Sequence, residues 1–145
     1  MFNFRFGVMG LPHLPPNMTF GRLTSEHVEL VDSSWRHRYE TSDWFYKMLI
    51  DSQSGYGLFL NNELVSWTLV NEAGALGHMF TLEQHRKKGY GALLLKILSN
   101  KLLAEGKDVF MYCVKSNVNA YNLYKKVGFK NLEEVSWCFF NNIFK

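Results

Sequence analysis

The hydrophobic pattern of this chain changes period several times, and each change marks an element. Short apolar runs bounded by turn residues predict strands at 18–23, 58–60, 64–70, 75–82 and 109–114. Asn61-Asn62-Glu63, between the second and third of these, has the composition of a hairpin turn. Helical spacing then appears in four places. Val28, Leu30, Val31 and Trp35 form an apolar face behind an N-cap at Thr24 or Ser25. Trp44, Phe45, Met48, Leu49 and Ile50 follow Ser42-Asp43, and Gly55-Tyr56-Gly57 is expected to break that helix. The longest helix is predicted over 89–103, with Glu105-Gly106 as its stop. The fourth covers 117–127 and closes at Gly128. Residues 129–130 and 135–140 are expected to pair as final strands, with Leu132-Glu133-Glu134 turning between them.

Ahead of the first strand, residues 1–17 end in Pro12-His13-Leu14-Pro15-Pro16, which cannot continue a helix. They are expected to form an N-terminal extension, a tether to one domain over 18–145. Helices interleaved with a mostly antiparallel sheet predict an α/β layered domain of about six to seven strands and about four helices.

Composition narrows the class. A length of 145 residues suits one domain with one sizeable core. Apolar residues at 47% and charged residues at 20% describe a globular chain rather than a disordered one. The net charge of +3 is too small to favour nucleic acid, yet it suits a polyanionic small molecule if the positive charge is concentrated. Cys113 and Cys138 lie in strand-like runs and read as buried thiols, a disulfide being the alternative. No run reaches the length of a membrane span, and residues 1–18 lack the apolar core of a signal peptide. The expectation is an intracellular protein, cytoplasmic or mitochondrial, without membrane or metal partners.

The chemistry is concentrated at Arg86-Lys87-Lys88-Gly89-Tyr90-Gly91-Ala92, where a strand runs through a basic loop into an apolar helix. Free amides and the helix dipole at such a junction attract an anion. Gly89 and Gly91 allow close backbone approach, and Arg86, Lys87 and Lys88 supply charge for a pyrophosphate or a 3′-phosphate. No Gly-Lys-Ser/Thr follows, which excludes a nucleotide P-loop. The third glycine of a dinucleotide fingerprint is also missing. On the loop alone, an anion site and a solvated basic turn remain equal readings.

Two motifs taken together separate them. Arg86-Lys87-Lys88-Gly89-Tyr90-Gly91 resembles the Gln/Arg-x-x-Gly-x-Gly/Ala motif of the GCN5-related N-acetyltransferase (GNAT) superfamily. Asn119-Ala120-Tyr121-Asn122-Leu123-Tyr124-Lys125-Lys126-Val127-Gly128-Phe129 is similar to its Asn-x-x-Ala-x-x-Leu-Tyr-x-x-x-Gly-Phe signature, with the asparagine-to-alanine spacing altered. A narrower resemblance, to the C-terminal domain of the glycine N-acyltransferase-like group, rests on residues 23–31, Trp35, Leu64-Val65-Ser66-Trp67 and Thr81-Leu82-Glu83-Gln84-His85-Arg86.

The resemblance implies a GNAT fold and transfer of an acyl group, acetyl or larger, from acyl-coenzyme A to a primary amine such as glycine. It implies that pantetheine runs along the backbone of Met79, Phe80 and Thr81, and that the pyrophosphate sits on amides from Lys87 to Ala92. Tyr124 matches the tyrosine that protonates the departing thiolate, packing in the helix being the alternative. Asn119 would hold the pantetheine or cap its helix. The usual glutamate base falls at Ala75, which takes no proton. His78 on the same strand has a suitable imidazole, but strict alternation puts 75 and 78 on opposite faces unless a bulge intervenes. Glu72 and His85 are weaker candidates, and an amine that ionises in water needs no protein base. The competing function is a non-catalytic acyl-coenzyme A-binding domain, motivated by Ala75. A nucleic-acid module is disfavoured by the scattered remaining Lys and Arg.

Overall fold

The structure is a computed structural model and describes residues 1–6 and 12–136. Seven strands form one sheet: β1 Phe2–Phe6, β2 Met18–Arg22, β3 Gly55–Leu60, β4 Glu63–Val70, β5 Leu76–Thr81, β6 Phe110–Cys113 and β7 Phe129–Glu134. Four helices accompany them: α1 Val28–Ser33, α2 Asp43–Asp51, α3 Tyr90–Ala104 and α4 Val118–Val127. The strand order is β2-β3-β4-β5-β6-β1-β7, antiparallel except where β5 meets β6.

The sheet separates two apolar layers. On one side Leu95, Leu98 and Leu102 of α3 and Tyr124 and Val127 of α4 pack on Tyr56, Leu76 and Met111. On the other side Val31 of α1 and Tyr46, Leu49 and Ile50 of α2 pack on Leu64, Trp67 and Leu69 of β4. Both layers follow from the helical spacing in the sequence, because residues three and four apart share a face.

Three expectations need correction. The N-terminal residues are not a tether ahead of the domain: Phe2–Phe6 is a strand inside the sheet, paired with β6 on one side and β7 on the other. Phe2-Asn3-Phe4-Arg5-Phe6 alternates apolar and polar residues with the period of a strand, a signal the prolines downstream overshadow. Gly55-Tyr56-Gly57 does not end α2 but opens β3, and the break falls at Ser52–Ser54. Glycine is needed at 57 because an added Cβ would stand 2.4 Å from Leu64 Cδ1 and 3.1 Å from the Ser66 carbonyl oxygen. Leu132-Glu133-Glu134 is not a turn: it continues β7, whose partner is β1. The expected strand 135–140 lies mostly outside the described residues. Val135, at its start, donates its N–H to the Met1 carbonyl at 2.7 Å. Cys113 is a free, buried thiol, while Cys138 is outside the described residues.

Candidate active site

Strand β5 is where the sheet opens. It pairs with β4 through Ser66–Thr81, Trp67–Phe80, Leu69–Gly77 and Val70–Leu76, but with β6 through Leu76–Met111 alone. Past that pair the two parallel strands diverge, and the backbone of Met79, Phe80 and Thr81 faces a cleft instead of a neighbouring strand.

The register along β5 also shifts. Between Trp67–Phe80 and Leu69–Gly77, β4 has one residue, Thr68, where β5 has two, His78 and Met79. This is a β-bulge, and His78 takes the positive φ of 51° that accompanies it. Leu76 packs in the α3/α4 layer, and strict alternation would send His78 there too. Instead His78 Nδ1 lies 2.9 Å from the Tyr46 hydroxyl on α2, with the Trp35, Phe45 and Tyr46 rings 5.2–5.8 Å away. Met79 returns to the α3 side and Phe80 stacks on Trp67 at 5.1 Å. Burial pushes the His78 pKa below its usual value, against a smaller upward pull from Glu72.

The loop after β5 has the geometry expected of an anion site. Lys87 and Gly89 both have positive φ, 59° and 81°, which turns the chain into α3. The first intrahelical bond runs from Leu93 N to Gly89 O at 3.0 Å, so the amides of residues 90–92 have no acceptor within the helix. They border a 330 Å³ cavity whose charged side chains, Arg86, Lys87 and Lys126, are all basic. Met79, Thr81, His85, Gly89, Tyr90, Gly91, Ala92 and Leu123 complete its wall. His85 Nδ1 beside it is buried without a hydrogen-bond partner. A Cβ on Gly91 would meet Met79 Cε at 3.4 Å and Thr81 Oγ1 at 3.7 Å, so any larger side chain would fill the cradle. Arg86 also braces the strand end: its Nε donates to Thr81 O at 3.0 Å and its guanidinium lies 5.1 Å from the centre of the Phe80 ring.

The structure brings eight of the expected residues together on this cavity: Met79, Thr81, Arg86, Lys87, Gly89, Tyr90, Gly91 and Ala92. Phe80, Lys88, Asn119, Tyr124 and His78 do not line it. Leu123, the leucine of the downstream signature, and Lys126 do; no local pattern marks Lys126, because α4 reaches the loop only through the fold. Tyr124 is buried at 8% exposure, shares its apolar layer with Cys113, and packs on Phe129. Burial pushes its phenol up to about 12.

Two further cavities lie beside Trp35, and one of them touches β5. A small one of 60 Å³ is lined by Trp35, Tyr46, His78, Met79 and Phe80 among others. Trp35 separates it from a 570 Å³ cavity bordered by Arg36, His37, Val114, Ser116 and Asn117. A cavity of 560 Å³ at the other end of the sheet, by Arg22, Tyr56, Leu102 and Lys107, lies at the C-terminal end of α3. The dipole there opposes a pyrophosphate.

The sequence pattern of the FR47-like protein family matches residues 55–138, which include β5, the basic loop, α3 and α4. The chain belongs to this family, within the GNAT superfamily. It is 29% identical over 68 residues to an uncharacterized N-acetyltransferase, YobR, of Bacillus subtilis, a match covering 46% of this chain and 28% of YobR. A Drosophila protein of known structure superposes with a TM-score of 0.80 at 22% identity, covering 90% of this chain and 46% of that one. Arabidopsis thaliana Naa50, solved with the bisubstrate analogue CoA-Ac-MVNAL, superposes with a TM-score of 0.58 at 16% identity, covering 81% of this chain and 85% of Naa50. The fold is the α/β GNAT fold. The chain spans less than half the length of the Bacillus and Drosophila relatives.

The downstream signature also needs rereading. Asn117, not Asn119, caps α4: its Oδ1 accepts from Ala120 N at 3.1 Å. Counted from Asn117, the spacing Asn117-x-x-Ala120-x-x-Leu123-Tyr124 is unaltered. Asn119 sits exposed in the first turn of the helix. The geometry of a cap, one side-chain oxygen turned back on an amide three residues ahead, distinguishes the two asparagines. Ala75 precedes β5 at 1% exposure, with Asn71 Oδ1 accepting its N–H at 3.0 Å. It lines none of the three cavities near the loop, His78 and Trp35.

Proposed function

We propose that this chain is an N-acyltransferase that moves an acyl group from acyl-coenzyme A to a small primary amine, glycine among the acceptors. The observation that carries this reading is the continuity of two features: a cleft where β5 leaves β6, and a basic cavity under free helix amides at its mouth. A pyrophosphate fits the amides of 90–92 with Lys87 and Lys126, and His85 Nδ1 is a buried polar group ready for a partner. From there a pantetheine arm can follow the backbone of Met79, Phe80 and Thr81 into the cleft.

The acceptor side supports a small amine with an anionic group. The cavity behind Trp35 carries Arg36 and His37 and no carboxylate, so it favours a carboxylate-bearing amine over a polycation. In the reaction the amine nitrogen bonds to the acyl carbon and the carbon–sulfur bond breaks. The nitrogen loses a proton to solvent, the thiolate takes one from the Tyr124 phenol, and solvent returns a proton to Tyr124, whose raised pKa favours the phenol. Holding both reactants at one cleft supplies much of the rate.

Incubation with acetyl-, benzoyl- and longer acyl-coenzyme A and a panel of amines, with detection of free thiol, tests this reading. Amine-dependent thiol release supports it. Tight coenzyme A binding with no release from any pair would instead favour a binding domain.

A further inference from the structure

The Tyr46–His78 pair belongs to neither the anion site nor the proton donor, yet the fold goes to some length to build it. A bulge with positive φ carries His78 out of the α3/α4 layer, and Tyr46, at 1% exposure, meets it from α2. We propose that Tyr46 donates its hydroxyl proton to Nδ1 of His78 and so holds the imidazole as its Nε2–H tautomer, making His78 a hydrogen-bond donor to the small cavity beside Met79 and Phe80 rather than the base of the transfer.

The direction of the bond follows from the two groups. A phenol is a strong donor and a weak acceptor, whereas the bare nitrogen of a neutral imidazole is a strong acceptor. The reverse bond, Nδ1–H to the phenol oxygen, would require the phenol proton to find another acceptor. Among the described residues Tyr46 Oη has one hydrogen bond, to His78. The nearby carboxylate of Asp32 is already engaged by Arg38 Nε at 2.9 Å and by the Ser42 hydroxyl. Burial raises the Tyr46 pKa further, with Asp32 adding to it, so the phenol keeps its proton.

The charged surroundings agree. Glu72, from the turn before β5, acts on His78 less than burial does, and the imidazole stays neutral at physiological pH. Asp32 of α1 faces Tyr46 rather than the ring, and Arg36 and His37 lie across Trp35. His78 Nε2 has no hydrogen-bond partner among the described residues and is not sealed off. With Nδ1 occupied, Nε2–H is the group His78 presents to the 60 Å³ cavity beside Met79 and Phe80. There it can bind an oxygen of the acyl group or of the acceptor. This catalytic part rests on the acyltransferase reading, while the tautomer does not.

Long-range 1H–15N NMR of the imidazole side chains in the free protein tests the tautomer without turnover, with His78→Gln assigning the signal. The expected result is an unprotonated Nδ1 and a protonated Nε2 at pH 7, with that preference weakened toward the free imidazole's in Tyr46→Phe. A protonated Nδ1 would overturn the proposal. Turnover supplies the second arm: His78→Ala should lose roughly ten- to a hundredfold in kcat and His78→Gln, which keeps an N–H donor, should recover most of it. Wild type and His78→Gln should share one acid limb, that of the acceptor amine. An extra limb in wild type that His78→Gln lacks would make His78 a base and contradict the donor role. Absence of turnover from all acyl donors would refute the acyltransferase reading alone.

Discussion

Leu76 of β5 and Met111 of β6 form the one register pair between two otherwise diverging parallel strands. Both are buried, at 3% and 1% exposure, in the layer under α3 and α4. They act as the apex of a wedge: β5 starts at this pair, and after it the strand's backbone is free toward the cleft. The basic loop follows directly from that free end, so in the proposed reading the apex sets where coenzyme A would enter.

Gly91→Glu should abolish most coenzyme A binding. The new side chain starts against Met79 Cε, Thr81 Oγ1 and Leu123 Cδ2 and carries negative charge into a basic cavity. Calorimetry should show a loss of roughly 100-fold, equal to about 2.7 kcal/mol. Gly91→Ala, whose Cβ makes ordinary contacts with two of those atoms, should lose far less.

Gly89→Ala should act through conformation and not through bulk. No atom lies within 4 Å of the added Cβ, but φ is +81°. The left-handed backbone costs an L-residue about 1–2 kcal/mol. Thermal unfolding should show a drop of roughly 3–10 °C in Tm.

Lys126→Ala should weaken coenzyme A binding roughly two- to fivefold and flatten its salt dependence. Lys88→Ala should do less, because Lys88 is exposed outside the cavity that Lys126 lines. Titrations at two ionic strengths compare them. An equal or larger effect at Lys88 would place the phosphates elsewhere on the loop.

Tyr124→Phe keeps the ring in its layer and removes the hydroxyl. If the phenol protonates the thiolate, kcat should fall roughly ten- to a thousandfold with coenzyme A affinity unchanged. Unchanged turnover would assign Tyr124 to packing.

How much of this was legible in the residues differs from place to place. The loop, α3 and the Leu-Tyr-x-x-x-Gly-Phe segment carry their geometry locally, through glycines, caps and helical spacing, and the structure keeps them where the pattern put them. The bulge at His78 is not local. It depends on β4 and β5 pairing with unequal numbers of residues, which neither strand shows alone. Lys126 is also a product of tertiary placement, since its neighbours in sequence mark it as one of several helix lysines. Asn117 is legible in the sequence, because its spacing to Ala120 is that of the signature, whereas Asn119 fits only with the spacing altered. Phe2–Phe6 had a clear alternating pattern, and the proline-rich stretch after it concealed a strand of the sheet.

His78 also gives the protein an acid-sensitive element. Its folded pKa is lowered from 6.5, so below about pH 6.5 the unfolded chain takes up a proton that the folded one resists. Stability should therefore fall as pH drops from about 6.5 through the folded value and level off beneath it. Denaturant titrations at several pH values should show a smaller decline in His78→Gln. An identical decline would mean that the ring is freely protonated in the folded state.

The most direct test of the central claim is an amide 15N NMR titration with coenzyme A. The account predicts shifts at the backbone of Gly89–Ala92 and of Met79–Thr81, lost in Gly91→Glu. Shifts confined to the Arg22, Tyr56 and Lys107 end of the sheet, or none at all at millimolar ligand, would contradict it.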